Sequence, residues 1–252
     1  MAGPENELPL DEAALLISAA ADARVDVPGQ LARLDEAAAL VASDDADAVC
    51  HVVFGTLGLR GDTKSYDDPR NSYLDQVLDR RLGIPISLSV VLMEIGRRRG
   101  VTLEGVGMPG HFLVRDPRDP ELLIDAFAGG RRLDRAACTE LLHAVAGAVE
   151  LRPDYLAAVG PRAILTRMLA NLDQSFGRRD DTDGRRRVTR LRAGIPGQTP
   201  AERVALADML AGLGCRDEAA ALLEELARDP ETTSDLARRL RVKARGFVAP
   251  FN

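Results

Sequence analysis

The chain has 252 residues, which is enough for one large domain or two small ones with a buried core. Apolar residues make up 46% of it, aromatic residues only 4%, and tryptophan is absent, so we expect no aromatic platform for stacking bases or sugars. The formal net charge of −6 argues against a general nucleic-acid-binding protein.

The cysteine content and the N-terminal residues indicate the cellular compartment. Cys50, Cys138 and Cys215 are far apart and odd in number, which is typical of free thiols in a reducing compartment. Residues 1–22 carry acids before their apolar run and no basic segment, so we predict no secretory signal. No apolar run approaches the length of a membrane span. We therefore predict a cytoplasmic protein without a membrane partner.

Helices are predicted first along the chain. In residues 10–60, apolar residues recur at helical spacing on both sides of a break at Pro28. Residues 86–99 are apolar nearly all round, which predicts a central buried helix. Pro85 suits the first turn of that helix, and Gly100 suits its end.

A small sheet is predicted next. Residues 101–106, 111–115 and 121–127 are short segments with β-branched and apolar side chains, bounded by Gly and Pro, and they predict three antiparallel strands. Residues 131–149 predict a return to helix. The predicted fold class is therefore α+β and mostly helical, with the central helix against a small antiparallel sheet.

The last hundred residues are predicted to be helical. Within them, residues 201–230 have the pattern of two helices joined by a turn, which is similar to one tetratricopeptide unit. We predict a division into residues 1–150 and residues 151–252.

Three sequence blocks carry a family resemblance. NSYLDQVLDRRLGIPISLS, GVGMPGHFLVR and LIDAFAGG occur in this order. They resemble the transglutaminase-like superfamily and, more closely, its bacterial SirB-type branch, which joins that core to C-terminal tetratricopeptide-like helices. The resemblance implies a papain- or transglutaminase-like core, in which a cysteine begins the central helix and a histidine and an aspartate follow on neighbouring strands. His111 and Asp125 match the histidine and the aspartate.

The cysteine position of that pattern falls on Pro85, counted back from Gly100. A helix N-terminus lowers the pKa of a thiol, and the histidine then acts as its base. Proline has no nucleophilic atom, so the resemblance implies the fold but neither crosslinking nor thiol proteolysis. We predict a non-catalytic binding or scaffold protein, with a cleft near His111 and Asp125 for a protein, a peptide or a small molecule.

A serine-dependent enzyme is the alternative. Each helical residue turns by about 100°, so Ser89 returns to the face of Pro85 while Ser87 points roughly 200° away from it. Either serine could serve an amide or ester hydrolase or an acyl transferase, with His111 as base and Asp125 as orienter. The competing interpretation is that both serines are buried and bond a carbonyl one turn back.

Further residues are assigned to the cleft. Asn71 and Arg70 either line its mouth or cap helices, Phe112 follows His111, and the backbone near Ile86 would supply oxyanion donors to an enzyme. In a third interpretation, the histidine is purely structural. The spacing of the histidines matches no zinc motif, so we predict no metal site and no cofactor.

Overall fold

The computed structural model describes residues 9–249, which form a mostly helical α+β fold. Residues 1–8, where part of the signal prediction falls, lie outside the described residues. The helices are α1 (Leu10–Ala21), α2 (Val27–Ala39), α3 (Ala46–Cys50), α4 (Leu74–Arg80), α5 (Pro85–Arg99), α6 (Arg135–Ala146), α7 (Pro161–Gly177), α8 (Thr182–Ala193), α9 (Pro200–Gly212), α10 (Arg216–Leu226) and α11 (Ser234–Val248).

The strands are short and form two sheets. They are β1 (Arg60–Gly61), β2 (Leu82–Gly83), β3 (Glu104–Val106), β4 (Leu113–Arg115), β5 (Leu123–Asp125), β6 (Arg131–Leu133) and β7 (Ala158–Val159). Strands β1 and β2 pair in parallel, whereas the larger sheet has the order β6-β5-β4-β3-β7 with every neighbouring pair antiparallel. The three predicted strands contain β3, β4 and β5, so this prediction is confirmed.

Helix α5 is the central buried helix that the sequence predicts. Every residue from Pro85 to Gly96 is buried, and the helix contacts β3 and β4 as well as α2 and α4. Pro85 occupies the first helical position, where the missing N–H would have no intrahelical partner in any case. Gly100 ends the helix at a φ of 84°, in the left-handed region that glycine adopts without strain.

The predicted helix over residues 131–149 is wrong at its beginning. Arg131–Leu133 forms strand β6 and pairs with β5, with Ile124 opposite Arg132. The chain reverses before β6 at Gly130, whose φ is 86°. Helix α6 begins only after Asp134, whose side chain accepts a hydrogen bond of 2.8 Å from the backbone N–H of Ala137. The Asp134 cap fixes the start of α6, and the residues before it pair with β5 as a strand.

The chain forms two compact units, and the division falls within α7, between Met168 and Leu169. The predicted boundary at residues 150 and 151 stays a prediction. In the second unit, α10 packs against α9 and α11. Its core contains Leu210, Leu223 and Leu240. The two helices predicted for residues 201–230 are α9 and α10.

Candidate functional site

His111 and Asp125 meet in the first unit, as the sequence predicts. His111 follows a turn in which Gly110 has a φ of 73°, and β4 begins two residues later. Asp125 is the last residue of β5, the strand paired with β4. His111 Nε2 lies 2.9 Å from Asp125 Oδ1, and both side chains are buried. Neighbouring strands therefore bring together two residues that are 14 positions apart.

Asp125 is held in its ionised form. Burial opposes ionisation, but the hydrogen bond with His111 and the backbone N–H groups of Phe127 and Ala128 outweigh it, so the pKa of Asp125 lies below its ordinary value. An ionised carboxylate only accepts hydrogen bonds. In the neutral imidazole of His111, Nε2 therefore carries the proton and Nδ1 keeps its lone pair.

Two aromatic rings extend outward from His111, and the sequence interpretation missed both. The Phe127 ring stands edge-on to the His111 ring with centroids 6.2 Å apart, and the Tyr66 ring stands edge-on to Phe127 at 5.8 Å. Phe127 lies directly against the backbone of Gly61, where a Cβ would come within 2.6 Å of the ring. Phe127 stands two residues after Asp125 in the third sequence block, which is the signal that could have revealed it.

Arg167 of α7 is a third residue that the sequence interpretation missed. Its Nη2 donates hydrogen bonds of 2.9 Å to the carbonyl oxygen of Met108 and 2.6 Å to that of His111. Its guanidinium carbon lies 5.6 Å from the centre of the Phe112 ring. Burial lowers the pKa of Arg167. The arginine thus fixes the turn that carries His111.

The N-terminus of α5 holds no side-chain nucleophile at its first residue, Pro85. The Ser87 hydroxyl accepts a hydrogen bond of 3.1 Å from the N–H of Ile84 and donates one of 2.6 Å to the carbonyl oxygen of Asn71. Ser87 is fully buried. Its hydroxyl therefore satisfies the start of the helix and joins it to the preceding loop.

Ser89 lies one turn behind the helix start and is also fully buried. Its Oγ has no hydrogen-bond partner among residues 9–249. The structure therefore brings neither Ser89 Oγ nor Ser87 Oγ into a hydrogen bond with His111. The catalytic assignment of either serine stays a prediction.

The polar cleft candidates lie in the loop before α4. Asn71 is fully buried, and its Nδ2 donates to the carbonyl oxygen of Ser65 at 2.8 Å and to Asp62 Oδ2 at 3.2 Å. Arg70 is 60% exposed along its side chain and pairs with Asp68 at 2.6 Å. Asn71 thus organises the loop from within, whereas Arg70 faces solvent.

The apolar cleft candidates are core residues. Ile86 and Phe112 are each 1% exposed. Phe112 packs beneath Arg167 and against Gly105, where a Cβ would come within 2.8 Å of the ring. Both side chains therefore support the site from behind, and neither offers an open wall to solvent.

A cavity of about 720 Å³ lies elsewhere in the first unit. It is lined by the second half of α5 together with parts of β3, β7 and α7, including Glu94, Leu103 and Ile164. Burial raises the pKa of Glu94. The residues lining this cavity include neither His111 nor Asp125.

The cysteines of the first unit, Cys50 and Cys138, carry protonated thiols. Burial raises the pKa of Cys50 and of Cys138 to about 11, so both remain thiols at neutral pH. Within residues 9–249, no group of three or more His, Cys, Asp or Glu side chains is arranged to hold a metal ion. No helix of this described part is both long enough and apolar enough to span a bilayer.

Comparisons with curated proteins give three informative relatives. A UPF0162 protein of Xylella fastidiosa (strain Temecula1) is 43% identical over 162 residues, which cover 62% of this chain and 58% of the relative. A UPF0162 protein of Pseudomonas aeruginosa is 45% identical over 107 residues, which cover 42% of this chain and 39% of the relative. F-box only protein 21 of Mus musculus is 34% identical over 148 residues, which cover 54% of this chain and 22% of the relative. The chain thus spans less than two thirds of the length of each.

A family model described as the transglutaminase-like superfamily matches residues 16–170. No solved structure matches the chain. The matched residues make up more than half of the chain and include α5, His111 and Asp125. The chain therefore belongs to the transglutaminase-like superfamily.

Proposed function

We propose that this protein is a non-catalytic member of its superfamily, which uses the site around His111 and Asp125 to bind a peptide or a small molecule. The observation that carries the proposal is Pro85 at the first position of α5, where our count places the superfamily cysteine. Proline supplies neither a nucleophilic atom nor a backbone N–H. The histidine and aspartate are kept without the group that they would activate.

The retained pair suits recognition. A carboxylate that is hydrogen-bonded to an imidazole fixes the orientation of the ring and leaves one nitrogen to accept a hydrogen bond. His111 Nδ1 would take an N–H donor, such as a peptide amide. The Phe127 ring would have to move aside or pack against that ligand, because it stands edge-on to His111.

We further propose that the chain belongs to the SirB-type branch and that its second unit presents a tetratricopeptide-like surface to a protein partner. The three sequence blocks and the similarity to UPF0162 proteins support the branch. The packing of α10 between α9 and α11 supports a helical array. The free cysteines favour a cytoplasmic location, which imaging of a fluorescent fusion would test.

A serine hydrolase or acyl transferase is the second candidate, and Ser89 is the observation that favours it. A buried hydroxyl without a partner costs free energy, and functional groups are one reason for such a cost. For catalysis, the hydroxyl would have to reach His111 and a substrate, although Ser89 is fully buried.

Intact mass after incubation with a fluorophosphonate probe separates the two candidates. The non-catalytic proposal expects no adduct on the wild-type chain. A single adduct that is absent from both Ser89→Ala and His111→Gln would establish an activated serine and overturn it. Ser87→Ala identifies the other serine in the same experiment.

Selection from a random peptide library tests binding directly. Wild-type protein, His111→Gln and His143→Gln are each immobilised, and His143 serves as the matched control because it is an exposed histidine of α6. The proposal expects peptides that are enriched on the wild type and on His143→Gln but lost on His111→Gln. Equal enrichment on all three proteins would contradict a cleft at His111.

A further inference from the structure

Arg167 differs from other partly buried arginines of the first unit. Arg98 pairs with Asp11 at 2.6 Å, and Arg80 lies 3.5 Å from Asp62. Arg167 is partly buried, yet among residues 9–249 no carboxylate pairs with it. Buried charges are normally paired, so an unpaired one indicates a site whose counter-charge comes from elsewhere.

The guanidinium is held in a fixed position. Two backbone carbonyls bind Nη2 from one side, and the Phe112 ring lies beneath the cation. Nη1 and Nε have no acceptor in the described part of the chain. Gly107 lies beside Nη1: a Cβ there would be 3.5 Å from Nη1 and 3.5 Å from the Val159 side chain, so the glycine leaves a narrow space between the two. Nη1 therefore keeps N–H donors for an external oxyanion, on the edge of the guanidinium opposite to Nε–H.

We propose that Arg167 binds the carboxylate of the ligand that occupies the His111 cleft. This inference rests on the proposed function, and it names the chemistry of that ligand. Arg167 donates to the carbonyl oxygen of His111 itself, so the bound carboxylate would lie within one residue of the imidazole. A single guanidinium matches the single charge of a carboxylate, one oxygen of which would accept a hydrogen bond from Nη1.

The side chains around the turn that carries His111 indicate that the ligand also has an apolar group. Tyr66 is 46% exposed and packs on Phe127, and Val145 is 43% exposed and packs against Gly110 of the same turn. Exposed apolar side chains beside a fixed cation favour a ligand with an apolar group next to its carboxylate. The C-terminus of a peptide and a small carboxylic acid both meet this description.

The experiment is a titration of the full-length chain with sodium butyrate, followed by NMR of the arginine side-chain N–H signals at constant ionic strength. We expect saturable shifts of the Arg167 signal. Binding should weaken at least tenfold in Gly107→Leu, because the new side chain fills the space beside Nη1. His143→Gln should bind butyrate like the wild type. No saturable shift, or equal affinity in Gly107→Leu, would overturn the inference.

Two further probes identify the ligand class. Arg167→Gln should lose butyrate binding, and circular dichroism would check that this variant folds. If Arg167→Gln does not fold, Gly107→Leu still tests the site. Inorganic phosphate should bind more weakly than butyrate, and tighter phosphate binding would overturn the assignment to a carboxylate.

Acetyl-Ala-Val with a free carboxylate distinguishes a peptide terminus from a small acid. Displacement of butyrate by this peptide, but not by its amide, supports a peptide terminus, whereas displacement by neither supports a small carboxylic acid.

This inference and the proposed function can fail separately. If peptides that depend on His111 bind equally well as C-terminal amides, the Arg167 subsite is wrong and the cleft stands. If butyrate binds at Arg167 but no peptide depends on His111, the peptide cleft is wrong and the carboxylate subsite stands.

Discussion

Arg98 and Arg167 are two partly buried arginines with opposite surroundings. Arg98 contacts Asp11, Asp35 and Glu94 at distances of 2.6 to 3.1 Å. Burial alone would lower its pKa, but these carboxylates outweigh burial and raise it. Among residues 9–249, Arg167 binds two carbonyl oxygens, lies over the Phe112 ring and has no carboxylate partner; burial lowers its pKa, although Tyr66 opposes that shift. Carboxylates of the fold neutralise the charge of Arg98, whereas no carboxylate among residues 9–249 neutralises the charge of Arg167.

The difference follows from what each arginine joins. Arg98 links α5 to α1 and α2, so its charge neutralises carboxylates brought in by the packing of helices. Arg167 links α7 to the turn before β4, where the polar groups at hand are backbone carbonyls. A carbonyl satisfies an N–H donor but does not cancel a unit charge.

The largest expected effect is on Arg98. Among the described residues, Arg98→Met leaves Arg97 as the remaining ion-pair partner of Asp11 and Glu94, so it should lower the free energy of unfolding by about 3 kcal/mol, the low end for breaking a buried pair. Urea unfolding measures this loss. Arg24→Met is the control, because the side chain of Arg24 is 90% exposed and its removal should change nothing measurable. A loss below about 1 kcal/mol for Arg98→Met would show that its charge is not needed in the fold.

Asp125→Asn should destabilise the protein by about 2 kcal/mol at neutral pH, because the charged partner of His111 is lost. The effect should depend on pH. The folded pKa of Asp125 is depressed, so its contribution is fully present above the unfolded pKa of about 3.9 and is lost as the pH falls through the folded value.

Unfolding of the wild type and Asp125→Asn should therefore converge at pH values below about 4. A difference that stays constant down to about pH 2 would contradict a charged Asp125.

Arg167→Met sharpens the comparison most directly. It removes two hydrogen bonds to carbonyls but leaves no carboxylate unpaired, so we expect a loss of about 1–2 kcal/mol, less than for Arg98→Met. Faster hydrogen exchange at the backbone of His111 would show that the turn has loosened. A loss as large as that of Arg98→Met would indicate a purely structural arginine.

The smallest effects concern the serines of α5. Ser87→Ala removes the bond to the carbonyl of Asn71 and should cost about 1 kcal/mol. Ser89→Ala removes a buried hydroxyl that has no described partner, so it should be neutral or slightly stabilising. Thermal unfolding of the two variants side by side measures the contrast. A larger loss for Ser89→Ala would reveal a partner for its hydroxyl.

Much of the first unit could be predicted from local patterns. The apolar run between Pro85 and Gly100 gave the central helix, and β-branched segments between Gly and Pro gave three strands. The family blocks indicated that His111 and Asp125 meet. Strand β6 was missed because two arginines and a leucine carry little strand signal, and only pairing with β5 makes them a strand.

The sequence by itself determined the elements whose signal is contained in neighbouring residues: apolar periodicity, helix ends and the order of the blocks. Only the tertiary structure decided which groups Ser87 and Arg167 bind. Ser87 binds Asn71, which is 16 residues away in the chain, and Arg167 binds His111, which is 56 residues away. Both partners are backbone carbonyl oxygens. Every residue carries such a group, so the sequence has no letter that marks which one a distant side chain will bind.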